Sequence, residues 1–198
     1  MPLPRWRRYL DEVPDGIDSY KQCAVKASVT RAFYEGFGKP SLDDAVPAAV
    51  RELALHPPPV SVSVPEIVAH TLYLAMGDAL GLSDEQFVAR SREVNKSLIA
   101  GPMYRVLFTF ISPGRLLRNA ASRWEAFHRG TSLSVERIED GRCRILMHTP
   151  AHATTELLST MHATAFDVAL VAAGAKNLQI TTKQATPMVA HFDAVWTK

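Results

Sequence analysis

Seven histidines are the side chains in this sequence best equipped for chemistry: His56, His70, His128, His148, His152, His162 and His191. His148 and His152 stand four apart, the spacing of a helical metal pair, but Pro150 lies between them, so they cannot share a helix face. His162 falls on the helical segment that follows. A three-histidine zinc site is therefore a minor reading, and no metal is expected because no helical ligand motif is present. His148 and His191 both fall in strand segments, where alternation puts Arg144, His148, His191 and Asp193 on one face of a sheet. Such a face offers hydrogen bonds to an anion or a polar ligand, although an ordinary solvated surface is the plainer reading. Arg115 and Arg118, with Arg123 and Arg129, form a second cationic group whose plainer reading is also solvation.

Other chemistry is missing. The sequence has no glycine-flanked serine elbow, no P-loop and no dinucleotide-binding glycine pattern. The carboxylate pairs Asp43-Asp44 and Glu139-Asp140 sit at a cap and a turn, where structure alone explains them. No residue set supplies nucleophile, base and oxyanion donors together, so no catalytic residue is named and no enzyme is expected. Cys23 and Cys143 are too few for a disulfide framework or a cysteine zinc site.

These residues must be positioned by one domain of 198 residues, preceded by a flexible tail over residues 1–19. Apolar residues at 47% can build a core, and a net charge of +2 creates no field that attracts nucleic acid or a membrane surface. No apolar run follows the first prolines and arginines, and the stretch from Ile67 to Leu82 is too short to span a bilayer. A cytoplasmic protein is expected, with no membrane insertion and no nucleic-acid partner.

Helix signals dominate to about residue 129. A helix capped by Asp18 or Ser19 is expected to run through Val25, Val29 and Phe33 to the breakers from Gly36 to Pro40. A second starts near Pro47 and ends at His56, followed by the stiff Pro57-Pro58-Pro59 connection. Ser63 with Glu66, and Ser83 with Gln86, read as capping boxes opening helices that reach Ala79 and Ile99. Met103 to Ile111 is a further apolar segment. Ser112-Pro113 opens a helix to His128 with Leu116, Leu117, Ala120, Trp124 and Phe127 on its inner side.

After Gly130 the period changes to two. Strands around Leu133–Val135 and Cys143–Met147 form a hairpin, and a helix follows from Thr154 to Ala173. Asn177 to Thr182 and Met188 to Trp196 supply two more strands. The expected class is α+β, a helical half (20–129) followed by a hairpin, helix, hairpin sheet unit (130–198). The helix from Thr154 is too apolar for one buried stripe. Phe166 and Leu170, flanked by His162, fall outside it and mark an interaction surface or a face covered by other helices.

The positions Pro57-Pro58, Val64-Pro65-Glu66, Tyr104-Arg105-Val106-Leu107-Phe108, Ser112-Pro113, Trp124 with His128-Arg129-Gly130-Thr131, Ala173-Gly174-Ala175 and Val195-Trp196 resemble a large myxobacterial family of uncharacterised paralogues. That family implies no activity. The order of elements resembles, more distantly, the haem nitric-oxide and oxygen sensor domains and the 4-vinyl-reductase-type ligand-binding domains. Haem sensors carry a proximal histidine well inside the helix before the sheet and a Tyr-x-Ser-x-Arg motif. Here the inner turns hold Ala120, Ala121 and Trp124, and the motif is absent, so haem is disfavoured and no cofactor is expected. His70 and His128 remain as unconventional axial ligands. The resulting expectation is a non-enzymatic regulatory or sensory module that binds a small ligand or a protein partner. Its pocket should lie between the halves near Tyr104, Trp124, Phe127 and His128. The alternatives are a homodimeric scaffold using Phe166 and Leu170, and a haem or tetrapyrrole-binding gas sensor.

Overall fold

The computed structural model describes residues 3–101, 111–139 and 141–197. Its helices are α1 (Arg5–Glu12), α2 (Ala27–Gly36), α3 (Ala48–Leu55), α4 (Glu66–Ala79), α5 (Asp84–Ala100), α6 (Pro113–Arg118), α7 (Ala120–Glu125) and α8 (Glu156–Ala172). Three short strands, β1 (Ala24–Lys26), β2 (Ser63–Pro65) and β3 (His128–Arg129), form an antiparallel sheet in the order β2-β1-β3. The larger sheet joins β4 (Ser132–Glu139), β5 (Arg142–His148), β6 (Lys176–Thr186) and β7 (Val189–Thr197) in the antiparallel order β4-β5-β7-β6. The chain is thus α+β, a helical half followed by a hairpin, helix, hairpin unit, as its periodicities require.

The N-terminus departs from a flexible tail. Residues 5–12 are helical and pack on α4, because Trp6 and Tyr9 bury their rings there. Arg5 fastens this helix: its guanidinium reaches Asp84 Oδ1 at 2.8 Å, Asp78 Oδ1 at 3.2 Å and the Leu82 carbonyl at 2.7 Å. The helix read from Asp18 onward begins only at Ala27. Ala24–Lys26 is drawn into strand pairing with β2 and β3, a non-local competitor that local propensity cannot register.

The α4 helix is buried on every side from Glu66 to Gly77, as its nearly uninterrupted apolar sequence demands. The capping box expected from Ser63 and Glu66 does not form at its start. Ser63 lies in β2, Pro65 takes the N-cap position, and the Glu66 side chain turns inward. Ser83 and Gln86, by contrast, form both bonds of the box that opens α5. The helix expected from Pro113 to His128 is broken at Asn119, whose side chain bonds back to the Arg115 carbonyl, and it stops at Glu125.

Two cores result. One fills the helical half around Phe33, Phe37, Ile67, Leu72, Met76 and Phe87. The other lies beneath α8 on the sheet face of Ile145, Met147, Ala190, Phe192, Ala194 and Trp196, with Leu116 and Leu117. The α8 helix serves both, giving Leu158 and Met161 to the first and Ala163 and Leu170 to the second. That double duty accounts for its excess of apolar residues. Phe166 and Leu170 therefore form no interaction surface: Leu170 is 1% exposed, and Phe166 packs edge-to-face on Phe192 with ring centres 4.9 Å apart.

Candidate functional site

The seam between the two cores holds the concentration of buried polar chemistry. Glu66 opens α4 one residue beyond β2, and His128 starts β3; both strands flank β1, with Val25 paired to Val64 on one side and His128 on the other. That pairing sets His128 Nδ1 at 2.9 Å from Glu66 Oε1. Trp124 stacks flat on the His128 ring, with centres 3.7 Å apart, and donates Nε1–H to Thr131 Oγ1 at 3.0 Å. One turn along α4, His70 Nε2 lies 3.9 Å from Glu66 Oε1. The His70 Nδ1 is 3.1 Å from the Ala153 carbonyl, to which the Tyr9 hydroxyl also donates at 2.8 Å.

His162 comes from α8 and closes the cluster. Its ring centre is 5.4 Å from that of His70, 5.6 Å from Trp124 and 6.2 Å from His128. It is 9% exposed, and its Nδ1 is sealed from solvent with no hydrogen-bond partner. Glu66 Oε2 is likewise buried and unpaired. Unsatisfied buried polar atoms cost about 1–3 kcal/mol each, so their accumulation here requires a functional account.

The charge states follow from the surroundings. Burial pushes the Glu66 carboxyl up, but the His128 hydrogen bond and the neighbouring imidazoles outweigh it and hold the group below its ordinary value. Burial holds His70 below the ordinary imidazole range despite the attraction of Glu66. The same desolvation, reinforced by His70 and His128, holds His162 well below that range. His162 is therefore a neutral imidazole with an available lone pair at neutral pH.

Two spaces with lining residues in common surround these groups. A small chamber of about 70 Å³ is lined by Glu66, His70, Tyr73, His128, Met161 and His162. A larger cavity of about 240 Å³ is walled by Leu98, Leu116, Leu117, Ile145, Phe166 and Leu170. Val29, Asn95, Trp124, His128 and Ala165 line both. Trp124, Phe127 and His128 line the larger cavity, whereas Tyr104 lies outside the described residues. The other expected sites are elsewhere. Arg144 and Asp193 are cross-strand partners bonded at 2.6 and 3.0 Å, His191 pairs across from Leu146, and His148 bonds Ser134 at 3.2 Å. The four residues share the outer face as the alternation demands, with the Arg144 charge already matched by Asp193. Among the described residues no three His, Cys, Asp or Glu side chains are placed to hold a metal ion.

Of the axial candidates, His128 is hydrogen-bonded to Glu66 through Nδ1, and His70 is bonded through Nδ1 to the Ala153 carbonyl. Glu66 and the unpaired state of His162 are what sequence reading misses. Glu66 looks like an N-terminal helix residue, and His162 looks like the flank of an apolar stripe. The available signal is a carboxylate at the head of a largely apolar helix whose first twelve residues are all buried, which demands a buried partner.

No family model matches the chain, and no curated protein matches it, so the resemblance to a myxobacterial paralogue family gains no support. Solved structures do share its fold. The Fe(II) unliganded H-NOX protein from K. algicida superposes with a TM-score of 0.59 at 9% identity, covering 87% of this chain and 97% of that one. An oxygen-binding H-NOX domain related to soluble guanylate cyclases, as its oxygen complex, gives 0.56 at 5% identity, covering 86% and 92%. A structure concerned with the function of haem distortion in the H-NOX family gives 0.57 at 6% identity, covering 87% and 93%. The architecture is that of these H-NOX structures. The expectation that no cofactor is bound, with haem disfavoured by a missing motif, is overturned by this comparison, since the structures that share the fold are those of a haem-protein family.

Proposed function

We propose that this protein is a non-enzymatic sensory module whose seam cavity receives a haem-type cofactor, with His162 as its axial base. The observation that carries this reading is the unpaired, neutral, buried imidazole of His162 in a chamber that shares lining residues with an apolar cavity, in a chain with the fold of H-NOX domains. The chemistry of the walls fits a tetrapyrrole: aliphatic and aromatic side chains for the macrocycle and a neutral histidine for the metal. The volume is small. Pockets for drug-sized ligands span about 300–1,000 Å³, so uptake of a macrocycle requires the 240 Å³ cavity to widen. A bound haem would supply a coordination position open to a diatomic gas. This chain's own residues exclude water, present the His162 lone pair, and hold His128 aside through Glu66 and Trp124.

The test is reconstitution of the full chain with haemin, followed by reduction under argon and an absorbance scan. A sharp Soret band at one equivalent, altered by nitric oxide and lost in His162→Leu, is the expected result. A featureless spectrum at micromolar haemin would reject the cofactor. A Soret band unchanged in His162→Leu would reject the assigned axial ligand.

A further inference from the structure

The larger cavity carries a second unpaired group. Arg123, on α7, is the sole Lys or Arg among its lining residues, and no Asp or Glu lines it. The Arg123 Nε is buried without a hydrogen-bond partner, and no ion pair involves this side chain among the described residues. A guanidinium has five donors in a fixed fork and remains charged at any physiological pH. Arg123 is half-buried, so its sealed Nε at an apolar wall is a donor left without an acceptor until an anion or other acceptor arrives from outside.

We infer that Arg123 is the anchor for a carboxylate, and that the seam selects amphipathic carboxylates: an apolar body in the cavity and an anionic group on the guanidinium. The argument is charge complementarity. Leu116, Leu117, Ile145 and Phe166 offer only dispersion and burial to the body of a ligand, so they fix its size but not its polarity. Arg123 sets the sign of charge, because the other polar lining side chains Asn95 and His128 are already bonded to Thr164 and Glu66. The fork geometry favours a planar, two-oxygen acceptor over an alcohol or an amide. The inference rests on the seam being the ligand site. Haemin, through its propionates, and a medium-chain fatty acid satisfy it equally.

The test separates those sources and separates this inference from the cofactor reading. Calorimetric titration of the full chain with octanoate and with 1-octanol compares two ligands of equal tail length. Octanoate is expected to bind at least about tenfold tighter than octanol, as a charge-assisted pair implies. Arg123→Met levels the two affinities, and Arg123→Lys retains part of the preference. Haemin uptake, read from the Soret band, falls in Arg123→Met. Equal affinity of the wild-type protein for acid and alcohol, or a carboxylate preference that survives in Arg123→Met, overturns the role of Arg123. The first comparison needs no variant, so a poorly folding substitution does not blunt it. Octanoate preference without haemin uptake keeps Arg123 and rejects the cofactor. Haemin uptake indifferent to Arg123→Met, with no octanoate preference, does the reverse.

Discussion

His162 shows how a single side chain trades stability for function. Neither core provides a partner for its Nδ1, so the free protein bears that desolvation cost until a ligand meets it. His162→Leu should therefore stabilise the free protein by about 1 kcal/mol in urea unfolding while abolishing its response to haemin. Loss of stability instead would mean that the imidazole is satisfied by internal water. The same residues set a pH dependence. Burial lowers the values of His70 and His162, so between those values and about pH 6.5 the unfolded chain binds protons that the folded chain refuses. Their contribution is fully present above about pH 6.5 and declines as the pH falls. Glu66, held low, adds stability that is lost at more acidic pH still, through its own depressed value. Melting temperature is expected to drop from pH 7.5 to pH 5, with a shallower slope in His162→Leu. A flat profile would show that both imidazoles titrate as if exposed.

At the scale of elements, the site depends on three very short strands. β3 has two residues, yet its pairing with β1 is what carries His128 to Glu66. Gly130, just after it, has φ +75°, and a Cβ there would lie 2.7 Å from Cys23 Sγ and 2.9 Å from the Cys23 Cα. Gly130→Ala is thus expected to cost about 2 kcal/mol or more, combining backbone strain with the clash. It should also release His128, detectable as a changed imidazole chemical shift by NMR at fixed pH. A silent substitution would mean that the β1–β3 pairing is loose. The break at Asn119 matters in the same way. An unbroken helix to His128 would carry that residue along its own axis, whereas ending at Glu125 lets Phe127 hand its carbonyl to the Lys26 amide at 2.8 Å and turn the chain into the small sheet.

At the scale of the molecule, two cores share one helix, and the ligand space lies where they meet. A ligand in the seam joins both, so saturation should raise stability as a whole rather than locally. At a free haemin concentration a hundredfold above its Kd, the gain is about 2.7 kcal/mol, or a rise in Tm of roughly 5–10 °C for a chain of this size. Amide exchange should slow in α7 as well as α8, because α7 faces the cavity with largely exposed residues on its other side. Protection confined to one half would place the ligand outside the seam. No helix among the described residues is long and apolar enough to cross a membrane.

The sequence by itself determines the class of the fold, the hairpin, helix, hairpin order, and the inward faces of β5 and β7. Those features rest on period, caps and breakers, which act over a few residues and are therefore written locally. The N-terminal helix, the conversion of residues 24–26 to a strand, the Glu66–His128 pair and the burial of His162 and Leu170 belong to the tertiary structure. Each depends on contacts between positions up to 144 residues apart, as in the Tyr9 bond to Ala153. Local pattern carries no trace of such partners. A buried histidine reads the same in sequence whether its nitrogens are paired or waiting for a ligand, because only the packed surroundings settle who stands within hydrogen-bonding reach.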